Sequence, residues 1–390
     1  MASNTQESRI FSRFGTATVS LGAPAQHDLS KKLKAAARAG FKYIDLFDEC
    51  WAFYLKSHGQ NETKLWDATP INLSLARNLG EEVKSLGMQI VCTQPLRVIE
   101  GRRDPGERKK LLELVAKRFP FMRAFDTDLV FMCSSLDKEP SSTLDYKTVA
   151  KDLAEMGRMA EEFSVADGGR MLKIGYENLS WAQRNTWAST WEVVHAANRH
   201  NVGLIVDSFN LLAVEFADPY NPEGHGRIYS TLRESLDVLR MSLASLVATV
   251  PGERIFLVQL GDAERMSPAT FHPPTDPNIP GLLPWSRNHR LCPLETERGG
   301  YMPVDLVVAT ILATGYQGPL SVEVFASSLH SADPQVPEQH AERAIKSLKK
   351  LCEAATRVDP FWSTKASDSP AYKLWKQGKT SLSSTTSSRI

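Results

Sequence analysis

Short apolar runs alternate with longer segments of helical periodicity along most of the chain. Eight runs have the length and composition of buried strands: residues 14–21, 43–47, 88–93, 128–133, 171–177, 202–207, 254–260 and 319–325. A helical pattern follows each run, near residues 28–40, 70–87, 105–118, 146–165, 186–200, 227–249, 303–315 and 338–356. Eight β–α units in order indicate parallel strands joined by helical crossovers. We therefore predict one α/β domain, a single (β/α)8 TIM barrel over residues 14–360.

Glycine and proline residues mark the expected helix ends. Gly40 and Gly315 lie where a helix C-terminus needs a positive φ, while Pro105 and Pro303 lie where a first turn tolerates a missing N–H. A doubly wound open sheet is the competing architecture, but neither GxGxxG nor GxxxxGK follows the first strand. These features favour the barrel.

Two connections are longer than ordinary loops. Residues 208–226 and 261–302 are rich in Pro and Gly, and each follows a strand that carries a candidate ligand. We expect both loops to contact a substrate, because long loops on a compact fold are usually functional or disordered. Residues 1–13 are predicted to be an N-terminal extension. Residues 361–390, which are rich in Ser, Thr and Lys, are predicted to be a disordered tail.

Four strand-like runs carry an oxygen donor at or near their carboxyl end. These are Glu177 in KIGYE, Asp207 in VGLIVD, Gln259 in RIFLVQ and Glu323 in PLSVEV. In a barrel these ends converge on one mouth, where such enzymes keep their active sites. Three carboxylates and an amide suit Mg²⁺, Mn²⁺ or a similar divalent cation such as Co²⁺. The sequence therefore predicts a metal site built from these residues.

Each candidate ligand also has an ordinary structural interpretation. Glu177 and Asp207 could cap the helix that follows, and Gln259 could be a hydrogen-bonded core amide. Glu323 interrupts the apolar run SVEVF, where an unpaired buried carboxylate is costly. The four residues together support a metal site more strongly than any one of them does.

Further polar residues near strand ends could bind an anionic substrate. Arg97 follows the third strand and could hold a carboxylate through two hydrogen bonds, although it could equally be a surface arginine beside Glu100. The loop WSRNHRLCP contains Ser286, Arg287, His289 and Arg290, a composition suited to anion recognition, although it could also be a solvated loop. Glu49 follows the second strand and could orient a substrate or a base, or lie in solvent.

The predicted metal site defines a class of chemistry. A divalent cation on a ketone oxygen and a neighbouring hydroxyl favours an enediolate, from which an enzyme can isomerise, epimerise or dehydrate its substrate. The ligand set alone does not choose between these reactions.

Composition excludes several other classes of protein. The chain has 390 residues, 42% of them hydrophobic, and a formal net charge of +1, so no overall field favours nucleic acid or an anionic membrane. No apolar stretch reaches 18 residues, no secretory signal precedes the barrel, and the five cysteines are dispersed. We expect a cytoplasmic protein. Self-association is left open, and the terminal Ser388-Arg389-Ile390 resembles a peroxisomal address.

Several motifs together resemble a known family. They are QPLRVIEG (94–101), YENLSW (176–181), VQLGDAE (258–264), WSRN (285–288) and GYQGPLSVEVF (315–325). The chain resembles the fungal and bacterial 3-dehydroshikimate dehydratases, which belong to the xylose isomerase-like barrel superfamily. The resemblance implies loss of water from 3-dehydroshikimate to give protocatechuate, in quinate and shikimate catabolism. It also implies metal ligands at Glu177, Asp207, Gln259 and Glu323, and substrate contacts at Arg97, Ser286 and Arg290.

One position departs from the family pattern. Bacterial relatives often carry a histidine where this chain has Asn210, which cannot transfer a proton at neutral pH. Glu177, His225 and His289 remain candidates for the general base. A sugar or sugar-phosphate isomerase or epimerase is the principal alternative. An endonuclease at abasic DNA sites and a metabolite sensor without turnover are also conceivable.

Overall fold

Eight parallel strands close into a barrel. The structure is a computed structural model that describes residues 12–137 and 141–358. The barrel strands are β1 Phe14–Ala17, β2 Tyr43–Phe47, β3 Gln89–Leu96, β4 Leu129–Cys133, β5 Lys173–Glu177, β6 Val202–Asp207, β7 Ile255–Leu260 and β10 Leu320–Val322. Their spatial order is β1, β10, β7, β6, β5, β4, β3 and β2. The prediction of a single TIM barrel is confirmed.

Helices surround the barrel and cover its strands. Their bounds are α1 Leu29–Ala39, α2 Asp48–Ser57, α3 Pro70–Ser85, α4 Pro105–Lys117, α5 Phe119–Ala124, α6 Tyr146–Asp167, α7 Trp187–Ala197, α8 Ser208–Glu215, α9 Leu232–Thr249, α10 Leu283–Asn288, α11 Val304–Ala313 and α12 Val336–Val358. All eight predicted crossover helices are present. The short helices α2, α5, α8 and α10 were not predicted.

Local sequence signals fix the helix ends. Asp28 caps α1 by accepting from the backbone N–H of Lys31 at 3.2 Å, and Gly40 ends that helix with φ 101°. Gly315 follows α11 with φ 89°, and Pro105 is the first residue of α4. These ends agree with the sequence to within a residue or two.

The strand ends place the candidate ligands together. Glu177 and Asp207 are the last residues of β5 and β6, Gln259 is the last but one of β7, and Glu323 directly follows β10. Asp207 pairs with Gln259 in the β6–β7 register, so these two residues lie at the same height in the barrel. The closed sheet therefore brings residues from distant parts of the chain to one mouth.

Both long connections contain secondary structure. The segment 208–226 begins with α8, directly after β6. The segment 261–302 contains α10 and an antiparallel pair of two-residue strands, β8 (Asp262–Ala263) and β9 (Arg290–Leu291). The loop that carries Ser286 and Arg290 is thus tied to the end of β7.

Some predictions fall outside the described residues. The disordered tail at 361–390, the address Ser388-Arg389-Ile390 and most of the N-terminal extension lie there. Over the described ranges, none of the helices combines the length and hydropathy needed to span a bilayer.

Candidate active site

Three buried carboxylates meet at the mouth of the barrel. Glu177, Asp207 and Glu323 are 2%, 0% and 5% exposed. Arg290 Nη1 donates hydrogen bonds to Asp207 Oδ2 at 2.7 Å and to Glu323 Oε2 at 3.1 Å. Since the Arg290 side chain is only 2% exposed, both contacts are buried ion pairs. The guanidinium therefore compensates the charge of two of the three carboxylates.

Asn210 bridges two of the same carboxylates. Its Nδ2 donates to Glu177 Oε1 at 2.9 Å and to Asp207 Oδ2 at 3.0 Å. Its Oδ1 accepts from the backbone N–H and the Oγ–H of Ser180, both at 3.1 Å. Ser180 thus fixes the amide with its nitrogen toward the carboxylates. Asn210 orients these acids but has no titrating proton of its own.

Asp207 uses its two carboxylate oxygens for different purposes. Oδ1 accepts from the backbone N–H of Phe209 at 2.7 Å and caps α8. Oδ2 accepts from Arg290 and Asn210. The sequence left helix cap and metal ligand as alternatives, and the geometry is compatible with both because the two oxygens have different partners.

Gln259 leaves its amide oxygen without a partner. Its Nε2 donates to Glu323 Oε1 at 3.0 Å and to Asp45 Oδ2 at 3.3 Å. Its Oε1 is buried and accepts no hydrogen bond. Because a buried unpaired carbonyl oxygen is costly, this atom is a candidate to bind a cation or a ligand donor.

Burial and mutual repulsion determine the charges of the site. Burial, together with the charges of Asp207 and Glu323, raises the pKa of Glu177 well above its ordinary value. Burial also raises the pKa of Glu323, although Arg290 partly offsets this effect. Burial alone would lower the pKa of Arg290, but Asp207, Glu323 and Glu177 outweigh it and raise its pKa. The guanidinium therefore remains charged beside the acids.

A cavity of about 850 Å³ opens next to these groups. Glu177 and Glu323 line it, together with three arginines, Arg97, Arg287 and Arg290. Its apolar wall includes Phe47, Leu179, Trp181 and Phe325. An oxygen-rich anion with an apolar ring face matches this lining.

Ser286 and the aromatic rings hold Arg290 in place. Ser286 Oγ accepts from Arg290 Nε at 3.1 Å and from Nη2 at 3.0 Å. The guanidinium carbon lies 4.1 Å from the ring centroid of Phe209 and 5.1 Å from that of Phe325. Ser286 is fully buried and is absent from the cavity lining, so its contact with a substrate would pass through Arg290.

Arg97 reaches the cavity from the end of β3. The next residue, Val98, has φ 58°, a strained value for a β-branched residue that occurs at functional turns. Arg97 Nη1 lies 4.0 Å from Glu49 Oε1, and both side chains are partly solvated. Glu100, which the sequence placed beside Arg97, instead accepts from the hydroxyl of Tyr176 at 2.8 Å. Arg97 is therefore available to an anionic ligand.

Neither candidate histidine lines the cavity. His289 Nδ1 is hydrogen-bonded to Glu264 Oε2 at 2.9 Å, and His225 Nε2 lies 3.4 Å from Glu223 Oε2. Among the residues that line the cavity, Glu177 and Glu323 are the acids that could exchange a proton with a ligand.

One known protein family matches most of the chain. Residues 33–351 match the sequence profile of the xylose isomerase-like TIM barrel family. The chain belongs to this family.

Two curated relatives carry the same name. The 3-dehydroshikimate dehydratase of Neurospora crassa is 31% identical over 351 residues, which cover 87% of this chain and 93% of that protein. The 3-dehydroshikimate dehydratase of Pseudomonas aeruginosa is 31% identical over 340 residues, which cover 86% of this chain and 41% of that protein. The chain thus spans about two fifths of the bacterial relative. The predicted resemblance is confirmed.

Solved structures agree with the family assignment. A xylose isomerase-like TIM barrel/4-hydroxyphenylpyruvate dioxygenase fusion protein superposes with a TM-score of 0.64 at 28% identity, over 88% of this chain and 43% of that chain. An IolI protein with a bound zinc atom superposes with a TM-score of 0.58 at 18% identity, over 88% of this chain and 98% of that chain. At that identity the second likeness shows the fold alone.

For this xylose isomerase-like barrel, the donor set suits a hard divalent cation. Three carboxylates and the unpartnered Oε1 of Gln259 provide oxygen ligands at one place. Donor groups of Arg290 and Asn210 lie between the carboxylates. Across residues 12–137 and 141–358, no group of three or more Asp, Glu, His or Cys side chains is already arranged around a metal position. The residue types fit, and a cation would have to displace some of these hydrogen bonds.

Two residues of the site were not among the predicted ones. Asp45 interrupts the apolar strand YIDLF in the same way that Glu323 interrupts SVEVF. Cys133 is the last residue of β4, and its Sγ donates to Glu177 Oε2 at 3.3 Å. The strand-end rule that found the four candidate ligands would have identified Cys133, and a buried-acid rule would have identified Asp45.

Proposed function

We propose that the protein is a metal-dependent dehydratase that converts 3-dehydroshikimate into protocatechuate and water. The observation that carries the proposal is a cluster of three buried carboxylates, two of which line a cavity together with three arginines. The curated relatives named for this reaction support it. The reaction class is a hydro-lyase.

Four side chains would hold the cation. We assign Glu177, Asp207, Gln259 and Glu323 to this role, because they supply the buried oxygens at the strand ends. When bound, a divalent cation polarises a ketone and stabilises the negative charge that develops on its oxygen.

The arginines suit the carboxylate of the substrate. Arg97 and Arg287 line the cavity without the buried ion pairs to Asp207 and Glu323 that Arg290 makes. Arg290 can bind the substrate carboxylate once a substrate or a cation changes its present hydrogen bonds. Ser286 then still accepts from Nε and Nη2 of its guanidinium. Planar guanidinium groups bind carboxylates through paired hydrogen bonds, which also fix the ring orientation.

Glu177 is the proposed base. It lines the cavity, and Asn210 and Cys133 each hold one of its oxygens. It would take the proton from the carbon between the ketone and the neighbouring hydroxyl. Glu177 would then return this proton to the β-hydroxyl, which leaves as water, and the ring tautomerises to the aromatic diol.

A sugar or sugar-phosphate isomerase or epimerase is the alternative. It would share the four ligands, but it would retain the hydroxyl and form no aromatic ring. The apolar wall with Phe47, Trp181 and Phe325 favours a carbocyclic substrate over an acyclic sugar.

The test is the appearance of aromatic ultraviolet absorbance. Purified protein is mixed with 3-dehydroshikimate and Mn²⁺, Co²⁺ or Mg²⁺, with and without a chelator. We expect an absorbance increase that the chelator stops. Glu323→Gln should lower kcat by about 1,000-fold, because it removes a charged ligand that contributes several kcal/mol. Its circular dichroism spectrum should match that of the wild type.

Two outcomes would contradict the proposal. A flat trace from folded protein that binds the metal would exclude the dehydratase. Wild-type turnover by Glu323→Gln would remove Glu323 from the site.

Location and assembly remain predictions. We infer action in the cytoplasm. Self-association is a further prediction.

A further inference from the structure

A buried carboxylate that the proposed mechanism does not use lies beside the candidate ligands. Asp45 is fully buried in β2, where it pairs with Ala17 of β1 in the strand register. Its Oδ2 accepts from Gln259 Nε2 at 3.3 Å, and its Oδ1 has no hydrogen-bond partner.

The hydrogen bonds of Gln259 set the direction of its amide. The two ends of a glutamine amide have nearly the same shape, so only their partners decide which end faces the site. An ionised carboxylate only accepts hydrogen bonds. Asp45 and Glu323 therefore both select the Nε2 end, and together they use both of its N–H groups. The Oε1 atom is left free and unpartnered.

Glu323 would hold this orientation less firmly once its oxygens bind a cation. The proposed function makes Glu323 a ligand, which weakens it as an acceptor for Gln259. Asp45 is not among the assigned ligands, so its Oδ2 can still accept the hydrogen bond from Gln259 Nε2. We propose that Asp45 is a positioning residue that fixes the Gln259 amide with Oε1 directed at the cation. The proposal rests on the metal site of the proposed function.

A double-mutant cycle tests this role without using turnover. The Kd of Co²⁺ is measured by calorimetry for the wild type, Asp45→Asn, Gln259→Glu and the double variant. An asparagine in place of Asp45 can face Gln259 with either end of its amide. Asp45→Asn should therefore weaken Co²⁺ binding about 3- to 10-fold, within the range known for outer ligand partners. In the Gln259→Glu background no amide remains to be oriented. There, Asp45→Asn should leave Co²⁺ affinity unchanged or raise it, because it relieves repulsion between two acids.

The visible absorption spectrum of bound Co²⁺ gives a second readout. Gln259→Met removes the amide ligand altogether and serves as the reference. We expect the spectrum of Asp45→Asn to shift from that of the wild type toward that of Gln259→Met. Asp45→Ala replaces Asp45→Asn if the latter fails to fold, and Gln259→Met replaces Gln259→Glu as the background if necessary.

The outcomes separate this proposal from the proposed function. Suppose that Asp45→Asn lowers Co²⁺ affinity equally with Gln259 and with Gln259→Glu, and leaves the Co²⁺ spectrum unchanged. Asp45 would then act only as a remote charge, and its positioning role would be overturned. A wild-type protein that binds no Co²⁺ would overturn the metal-dependent function itself, and the role of Asp45 with it. Loss of affinity only when residue 259 is glutamine would establish the role.

Discussion

Arg290 can bind two kinds of anionic group, the carboxylates of the protein and the carboxylate of a substrate. Its Nη1 is bound to Asp207 and Glu323, although the family resemblance assigns this arginine to the substrate. A divalent cation and this N–H group would compete for the same carboxylate oxygens. The guanidinium therefore acts as a built-in counter-charge for the acids when no metal neutralises them.

Removing this counter-charge should strengthen metal binding. A unit charge about 4 Å away changes an interaction by roughly 4 kcal/mol at an effective dielectric of about 20. Arg290→Met should accordingly lower the Kd of Mn²⁺ by at least about tenfold, while the KM for the substrate rises because a proposed contact to the substrate carboxylate is lost. Calorimetry gives the Kd, and initial rates give the KM.

Arg287→Met is the matched control for this prediction. Arg287 lines the same cavity, with its guanidinium carbon 4.4 Å from the ring centroid of Phe325. Both variants lose one positive charge near Glu323, but only Arg290→Met frees carboxylate oxygens. A gain in Mn²⁺ affinity that is no larger for Arg290→Met than for Arg287→Met would show that the hydrogen bonds of Arg290 do not compete with the metal.

At the level of single residues, the sequence identified positions better than roles. Glu177, Asp207, Gln259 and Glu323 were found because parallel strands end at one mouth, which is a rule of topology. The orientation of the Gln259 amide depends on Asp45, which lies 214 residues away in the chain. No local pattern encodes such a contact, so the role of Asp45 needed the folded structure.

At the level of elements, the sequence predicted the long segments and missed the short ones. The eight strands and eight crossover helices follow from strong periodicity. Helix α8 starts directly after β6 and is capped by Asp207. Its first turn continues the apolar run of β6, so no change in the hydrophobic pattern marks where the helix begins. Helix α10 has only six residues, too few for a periodic pattern. The length of 261–302 pointed to function in this segment but not to its internal order.

A single carboxylate anchors the loop that carries Arg290. Asp262 Oδ1 accepts from the backbone N–H groups of Ala263 at 2.7 Å, Tyr301 at 3.2 Å and Met302 at 2.9 Å. It thereby joins both ends of the segment 261–302 just beyond β7. Buried N–H groups that lose such a partner cost about 1–3 kcal/mol each.

Asp262→Ala should therefore loosen this loop and leave the barrel folded. We expect faster cleavage by protease between residues 264 and 282, a KM raised roughly tenfold and a smaller change in kcat, since the loop carries Arg287 and Arg290 of the cavity lining and none of the proposed metal ligands. Limited proteolysis and steady-state kinetics measure these effects. Asp276→Ala is the control, because Asp276 is an exposed residue of the same loop whose side chain accepts from the backbone N–H and the Nδ2 of Asn278. Equal cleavage rates for the two variants would rule out the anchoring role.

At the level of the whole molecule, unit counting predicted the architecture because a closed barrel has few topological alternatives. Composition predicted only a near-neutral protein with a net charge of +1. It did not predict how many acids the fold would bury. Glu215 at the end of α8 is a half-buried acid outside the active site, and its Oε2 is buried without a hydrogen-bond partner.

Glu215 should make stability depend on pH. Burial raises its pKa from 4.5 to about 7, although Ser242 and Trp187 partly offset the effect. Between these values the folded protein binds more protons than the unfolded chain, so this stabilisation is complete below about pH 4.5 and is lost as the pH rises through about 7. Glu215→Gln, which cannot ionise, should match the wild type near pH 5 and exceed its free energy of unfolding near pH 8 by on the order of 2 kcal/mol.

Urea titrations at the two pH values measure this difference directly. Other titrating groups are common to both proteins, so their effects on stability cancel in the difference. One of them is His340: burial lowers its pKa to about 3, and its effect on stability below neutral pH has the opposite sign to that of Glu215. A constant difference between variant and wild type at both pH values would mean that Glu215 ionises in the folded protein as easily as in the unfolded chain. The Glu215 carboxylate would then be hydrated or paired with another group in solution. The C-terminal end of α8 would be packed less tightly than its contacts indicate.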